Sequence, residues 1–145
     1  MVMKKVMTIL IATFAVCVMA SCMEKAVVVE QLPAPAREYI NTYFPGDKIV
    51  VASKDDDLVR PDYEVRLESG TELQFSNSGA LEKVSCRKGI PAEVVPQSIR
   101  DYVSAHYPSA VFCEYEVDRR TYEVTLTNGL ELKFNSIFNL LEVDD

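Results

Sequence analysis

An α+β fold is predicted, made twice from one unit of a helix followed by a four-stranded antiparallel meander, with both helices on one face of a combined sheet. Three observations carry this. First, the chain repeats itself: Arg37-Glu38-Tyr39-Ile40 returns as Arg100-Asp101-Tyr102-Val103 at an offset of 63, which also carries Pro33 onto Pro96 and Pro45 onto Pro108. Tyr63 to Phe75 returns as Tyr122 to Phe134 at an offset of 59, with 8 of 13 positions identical, and an internal repeat decides the architecture before any single element does. Second, each copy opens on apolar residues at helical spacing. Third, each continues with residues that alternate apolar and polar, the pattern of a strand with one face in water.

The 145 residues are 48% hydrophobic and 26% charged, inside the globular range. Fifteen Lys and Arg stand against 22 Asp and Glu, giving a net charge of -7 and a pI near 4.8. Such a chain lacks the basic footprint that a phosphate backbone requires, so no nucleic-acid partner is expected.

Residues 1–21 begin with Lys4 and Lys5 and run through an uncharged apolar stretch from Val6 to Met19. That stretch is shorter than the roughly 20 residues needed to span a bilayer, and it fits a secretory signal. It ends in Val18-Met19-Ala20-Ser21-Cys22, which resembles a bacterial lipobox. The resemblance implies that Cys22 is diacylated, becomes the new N-terminus and anchors the protein to a membrane. Cleavage removes two Lys and no acid, leaving 13 basic against 22 acidic groups and a charge of -9. Attachment would then rest on the acyl chains rather than on attraction to anionic headgroups. Residues 22–32 read as the lipidated Cys and a tether, with Met23 to Gln31 either a linker or an edge strand.

The first repeat is placed at residues 33–86 and the second at 91–145. Ala36, Tyr39, Ile40, Tyr43 and Phe44 form one helical stripe, and Ile99, Tyr102, Val103, His106 and Tyr107 form the other. Pro45-Gly46 and Pro108 stop the helices, since proline cannot continue the ladder and moves the preceding residue out of the α region. A strand is predicted over Lys48 to Ser53 and another over Val111 to Val117. In the hairpins that follow, Tyr63, Val65 and Leu67 lead through Ser69-Gly70 to Leu73 and Phe75. Tyr122, Val124 and Leu126 lead through Asn128-Gly129 to Leu130, Leu132 and Phe134, and Asn-Gly tolerates the positive φ of a tight hairpin. Last strands are predicted over Ala80 to Cys86 and Leu140 to Val143. Copy one carries four extra residues between helix and hairpin, placed at Lys54-Asp55-Asp56-Asp57.

Alternation leaves one sheet face polar and open to a partner. On it fall Glu64, Arg66, Glu68, Glu72 and Gln74, with Glu123, Thr125, Thr127, Glu131 and Lys133 from the second copy. Asp55, Asp56 and Asp57 read as an acidic hairpin tip suited to probing a partner's cleft. Three consecutive Asp without a Gly do not make a calcium loop, so no metal is assigned. His106, the single His, falls on the helix stripe and is read as a packing residue. Cys86 and Cys113 are either a disulfide stapling the repeats or two thiols, and thiols are favoured, since a bridge needs Cα atoms within about 7 Å and sequence does not show that separation. No Gly-rich phosphate loop, nucleophile elbow or CxxC is present, so neither an enzyme nor a cofactor is expected.

A lipobox followed by two copies of Pro-x(5)-Tyr-(Ile/Val)-x(3 or 4)-(Phe/Tyr)-Pro and Tyr-Glu-Val-x-Leu-x-x-Gly-x-Glu-Leu-x-Phe resembles the PepSY-like lipoproteins of Bacteroides-type bacteria, whose fold is likened to β-lactamase inhibitor protein. The resemblance implies a lipid-anchored protein of a Gram-negative envelope, at the outer membrane, binding or inhibiting an envelope or secreted protein such as a peptidase. The competing reading is a periplasmic sensor of a small ligand or cation.

Overall fold

The computed structural model describes residues 24–56 and 62–145. The signal segment, Cys22 and Asp57 lie outside the described residues. Among the described residues, two ten-residue helices, α1 (Ala34–Tyr43) and α2 (Gln97–His106), accompany nine strands. These are β1 (Glu24–Ala26), β2 (Ile49–Asp55), β3 (Asp62–Leu67), β4 (Glu72–Ser76), β5 (Leu81–Ser85), β6 (Phe112–Asp118), β7 (Thr121–Leu126), β8 (Glu131–Asn135) and β9 (Leu140–Asp144). They form one antiparallel sheet in chain order, β1 to β9. The edge-strand reading of the N-terminal stretch holds for three residues, which pair with β2 before a 3-10 turn at Val29–Gln31. A second 3-10 turn, Ala92–Val94, precedes α2; the sequence reading had no element there.

Each helix starts at a proline, Pro33 or Pro96, and has no side-chain cap. Helices this short are marginal alone, so packing holds them. Ala36 and Ile40 of α1, and Ile99 and Val103 of α2, are buried. Both lie on the same face of the sheet, and the register establishes this. Ala52, Val65, Leu73, Val84, Tyr115, Val124 and Leu132 are cross-strand partners in turn, and all are buried. Phe75 and Phe134 lie two residues from Leu73 and Leu132 and share that face. Tyr39 of α1 meets Phe75 edge-on at 5.8 Å between ring centroids, and Tyr102 of α2 meets Phe134 in the same manner at 5.5 Å. Six residues separate β2 from β3 where two separate β6 from β7, so the four extra residues sit in that first connection, after Asp55; Lys54 and Asp55, where the insertion was expected to begin, belong to β2 instead.

One polar atom of this core is unmatched. The Tyr39 hydroxyl is buried and finds no hydrogen-bond partner among the described residues. Burial, reinforced by Tyr43 and Tyr115, pushes its pKa above the ordinary tyrosine value. An unsatisfied buried hydroxyl costs about 1–3 kcal/mol, and Tyr39→Phe removes it while keeping the ring on Phe75. Urea unfolding of Tyr39→Phe should therefore show a gain of about 1 kcal/mol; a loss of that size would mean the hydroxyl is satisfied.

Candidate functional site

The helix-free face of the sheet is the candidate site. Alternation puts every second side chain of β3 to β9 there, and the register aligns them in two rows. One runs Glu64, Gln74, Lys83, Glu116, Glu123, Lys133, Glu142. Its neighbour runs Arg66, Glu72, Ser85, Glu114, Thr125, Glu131, Asp144. The two halves differ in charge. On β3 to β5, Arg66 is paired with Glu72 at 2.9 Å, and an open depression of about 480 Å³ lies over these strands between Val51 and Lys83. In these two rows β6 to β9 carry six carboxylates and one cation, Lys133.

Lys83 joins the halves, with Glu114 at 3.0 Å and Glu116 at 3.9 Å. Burial alone would pull its pKa down, but Glu114, Glu116 and Glu123 outweigh this and hold it above the ordinary lysine value. The Glu123 pKa moves the same way, but here the shift disfavours the charged form: burial, then the carboxylates of Glu116, Glu131 and Glu114, raise it against the opposing pull of Lys133.

That shift has a sign in stability. The folded chain keeps the Glu123 proton to higher pH than the unfolded chain does. Between the unfolded and folded values stability therefore rises as pH falls, and above the folded value the full penalty is carried. Glu123→Gln should flatten this part of the pH profile and stabilise the protein at pH 7, by about 0.5 kcal/mol on a face that solvent screens. Urea midpoints between pH 4 and 8 check it; an unchanged slope in the variant would exclude Glu123 as the source.

Eight of the residues expected on this face lie together on it: Glu64, Arg66, Glu72, Gln74, Glu123, Thr125, Glu131 and Lys133. Glu68 lies beyond the end of β3, in the hairpin turn, where its N–H donates to the Lys48 carbonyl. Of the acidic triplet expected to form a free probing tip, the two described members, Asp55 and Asp56, are held by the sheet and by an ion pair. Asp55 belongs to β2, in register with Asp62, whose carboxylate accepts a hydrogen bond from Gln74 Nε2. Asp56 pairs with Lys25 at 2.8 Å and Lys54 at 3.5 Å. The physical reason is the added strand: β1 sets Lys25 directly opposite Lys54, a like-charge pair that disfavours the ladder, and Asp56 supplies the counter-charge. The Lys25 ammonium holds its carboxyl below the usual aspartate range.

Lys83, Ser85, Glu114, Glu116, Glu142 and Asp144 complete the two rows and were not singled out from sequence. The signal was present, since Val84 and Tyr115 point to the core and their neighbours must point away.

Cys86 and Cys113 are both free, although the Cys86 N–H donates to the Cys113 carbonyl at 2.9 Å. Burial first, and Glu114 next, raise the Cys113 thiol pKa, and its Sγ lies 3.4 Å from the Thr125 carbonyl. His106 is exposed rather than part of the buried stripe. It ends α2, stacked on Tyr102 at 4.0 Å, with Nδ1 2.8 Å from the Tyr102 carbonyl. Among the described residues, no group of three or more His, Cys, Asp and Glu side chains is placed to hold a metal ion.

The model of the beta-lactamase-inhibitor-like, PepSY-like family matches the chain twice, over residues 17–83 and 61–142. No curated protein matches. Among solved structures, a periplasmic protein of Bacteroides vulgatus ATCC 8482 superposes with a TM-score of 0.82 at 36% identity, covering 86% of this chain and 99% of that one. A Bacteroides thetaiotaomicron protein described as a calcium-regulated periplasmic protein gives 0.82 at 34% identity, with 84% and 97% covered. A second Bacteroides vulgatus protein, described as periplasmic and of unknown function, gives 0.79 at 33% identity, with 84% and 99% covered. With both halves matched and three relatives above 30% identity over most of its length, the chain belongs to the PepSY-like, beta-lactamase-inhibitor-like family.

Proposed function

We propose that this is an exported, lipid-anchored envelope protein, without catalytic activity, that binds or inhibits another envelope or secreted protein such as a peptidase. The observation that carries the reading is the uncovered polar sheet face, continuous over β3 to β9 and acidic over its second half. Export is supported by the Lys4-Lys5 pair and apolar run that follows it, and by relatives described as periplasmic. Anchoring at Cys22, on the outer membrane, rests on the lipobox. In this reading each repeat is one helix with the four strands after it, α1 with β2–β5 and α2 with β6–β9, and β1 is an addition from the tether.

A face with this charge steers a basic partner, so association should slow with added salt while folding stability hardly changes. The test is crosslinked capture from the protein's own cells. The captured partner should be lost with Arg66→Glu and with Glu131→Lys, by tenfold or more in yield, and retained with the exposed helix substitutions Glu38→Ala and Asp101→Ala. The reverse pattern would move the binding surface to the helices. Cys22→Ala should shift the protein out of the membrane fraction, because the acyl chains are then missing.

A second reading, a cation-responsive sensor, draws on the relative described as calcium-regulated; the small depression ringed by Glu123, Glu131, Lys133, Glu142 and Asp144 does not by itself assemble a set of ligands. A melting temperature that rises by several degrees in millimolar calcium and falls with a chelator would favour it over protein binding.

A further inference from the structure

The repeat supplies its own template for what β9 lacks. At the offset of 59, β9 is the counterpart of β5: Lys83, Val84 and Ser85 become Glu142, Val143 and Asp144. The pairing inward is the same in both copies, with Gln74 opposite Lys83 and Leu73 opposite Val84, then Lys133 opposite Glu142 and Leu132 opposite Val143. The outward pairing is not. Strand β5 is covered by β6, which sets Tyr115 on Val84 and places Glu116 and Glu114 opposite Lys83 and Ser85. Strand β9 ends the sheet, and among the described residues no strand lies on its outer edge. In consequence Val84 is 0% exposed and Val143 is 42% exposed.

Two further differences set this edge apart. Ile137 and Leu141, 71% and 56% exposed, stand where copy one has Ser78 and Glu82, so the hairpin tip and the edge strand carry exposed apolar residues where copy one has polar ones. The other end of the sheet, β1, is only three residues long, a common way of blunting an edge. β9 has five residues and is not shortened in that way.

We propose that the outer edge of β9 docks one extended segment of a partner protein, antiparallel, with an aromatic or large apolar residue opposite Val143 and Lys or Arg opposite Glu142 and Asp144. Strand addition supplies main-chain hydrogen bonds, and the alternate side chains supply selectivity. The charge requirement is the reverse of that met at β5, because Lys83 takes acidic neighbours at 3.0 and 3.9 Å whereas Glu142 and Asp144 repel them. A second copy does not meet it. Pairing two β9 strands about Val143 sets Glu142 against Asp144, and like charges directly opposite disfavour this; the other free edge of a second copy, β1, has Lys25 rather than an apolar residue at its centre. This inference rests on the protein-binding reading and adds an edge, with its own chemistry, to the face described above.

The test titrates the full mature chain with two peptides of the Phe112–Asp118 sequence, both with Cys113→Ser. One keeps the two glutamates and the other carries Glu114→Lys and Glu116→Lys. The lysine peptide should bind at least about ten times more tightly, with NMR shift changes centred on β8 and β9, and the preference should shrink with salt. The double variant Glu142→Lys/Asp144→Lys, at exposed positions, should fold with an unchanged urea midpoint and invert the preference. Failure of the lysine peptide to bind, equal binding of both, an unaltered preference in the double variant, or shifts centred on β3 to β5 would each overturn the proposal. A cellular partner released by Arg66→Glu but not by the double variant would do so too, while leaving the open-face reading in place.

Discussion

Phe134→Ala should destabilise the protein by about 3–5 kcal/mol, the range for removing a buried aromatic ring. Against a typical total of about 5–15 kcal/mol, that leaves a marginal fold. Phe134 is fully buried, lies opposite Tyr122 on one side and Leu140 on the other, and supports α2 through Tyr102. Its removal takes the helix's footing as well as its own contacts. Phe75→Ala should cost a similar amount, because Tyr39 rests on it in the same way. Glu131→Ala, one strand position from the core residue Leu132 but on the open face, should change stability by no more than about 0.5 kcal/mol. Urea unfolding decides this: comparable losses for Phe134→Ala and Glu131→Ala would mean that the two sheet faces had been exchanged.

The contrast between those neighbours was legible before any coordinates, since Tyr-Glu-Val-x-Leu and Glu-Leu-x-Phe fix two faces by period alone. The same holds for both helices, whose ends are set by Pro33, Pro45, Pro96 and Pro108. What period alone does not carry is how strands are joined across the sheet. That β5 pairs with β6, so that Lys83 reaches Glu114 across the junction of the repeats, depends on tertiary pairing between segments that carry no shared motif. The fate of the acidic triplet was hidden for the same reason. Asp56 looked like a solvated tip because its partner, Lys25, lies 31 positions earlier in a stretch with no periodic signal. His106 shows the limit of a stripe: it has the right spacing, but the last turn of a ten-residue helix overhangs the core, and the ring settles on Tyr102 instead.

The second large effect is expected at the turn between β4 and β5. Gly79 has φ +88, and a Cβ built there would lie 2.8 Å from Pro33 Cβ, 3.1 Å from the Ala36 backbone nitrogen and 3.3 Å from Pro35 Cβ. None of these atoms yields easily, because two belong to proline rings and one to the first turn of α1. Left-handed backbone costs a non-glycine residue about 1–2 kcal/mol, and forcing the packed start of α1 away adds about 1–3 kcal/mol. Gly79→Ala should therefore cost about 2–5 kcal/mol in urea unfolding. The second copy supplies a control, since its counterpart at the offset of 59 is Phe138, also left-handed at φ 62. Here the strained residue is retained with a ring stacked on Tyr122 at 5.0 Å. Both Phe138→Ala and Phe138→Gly lose that stacking, but only glycine relieves the backbone. Phe138→Gly should therefore be the more stable of the two by about 1 kcal/mol. If the two Phe138 variants unfold at the same urea concentration, backbone strain is not what separates the turns, and a large loss for Gly79→Ala would then have to come from the contact with Pro33 alone.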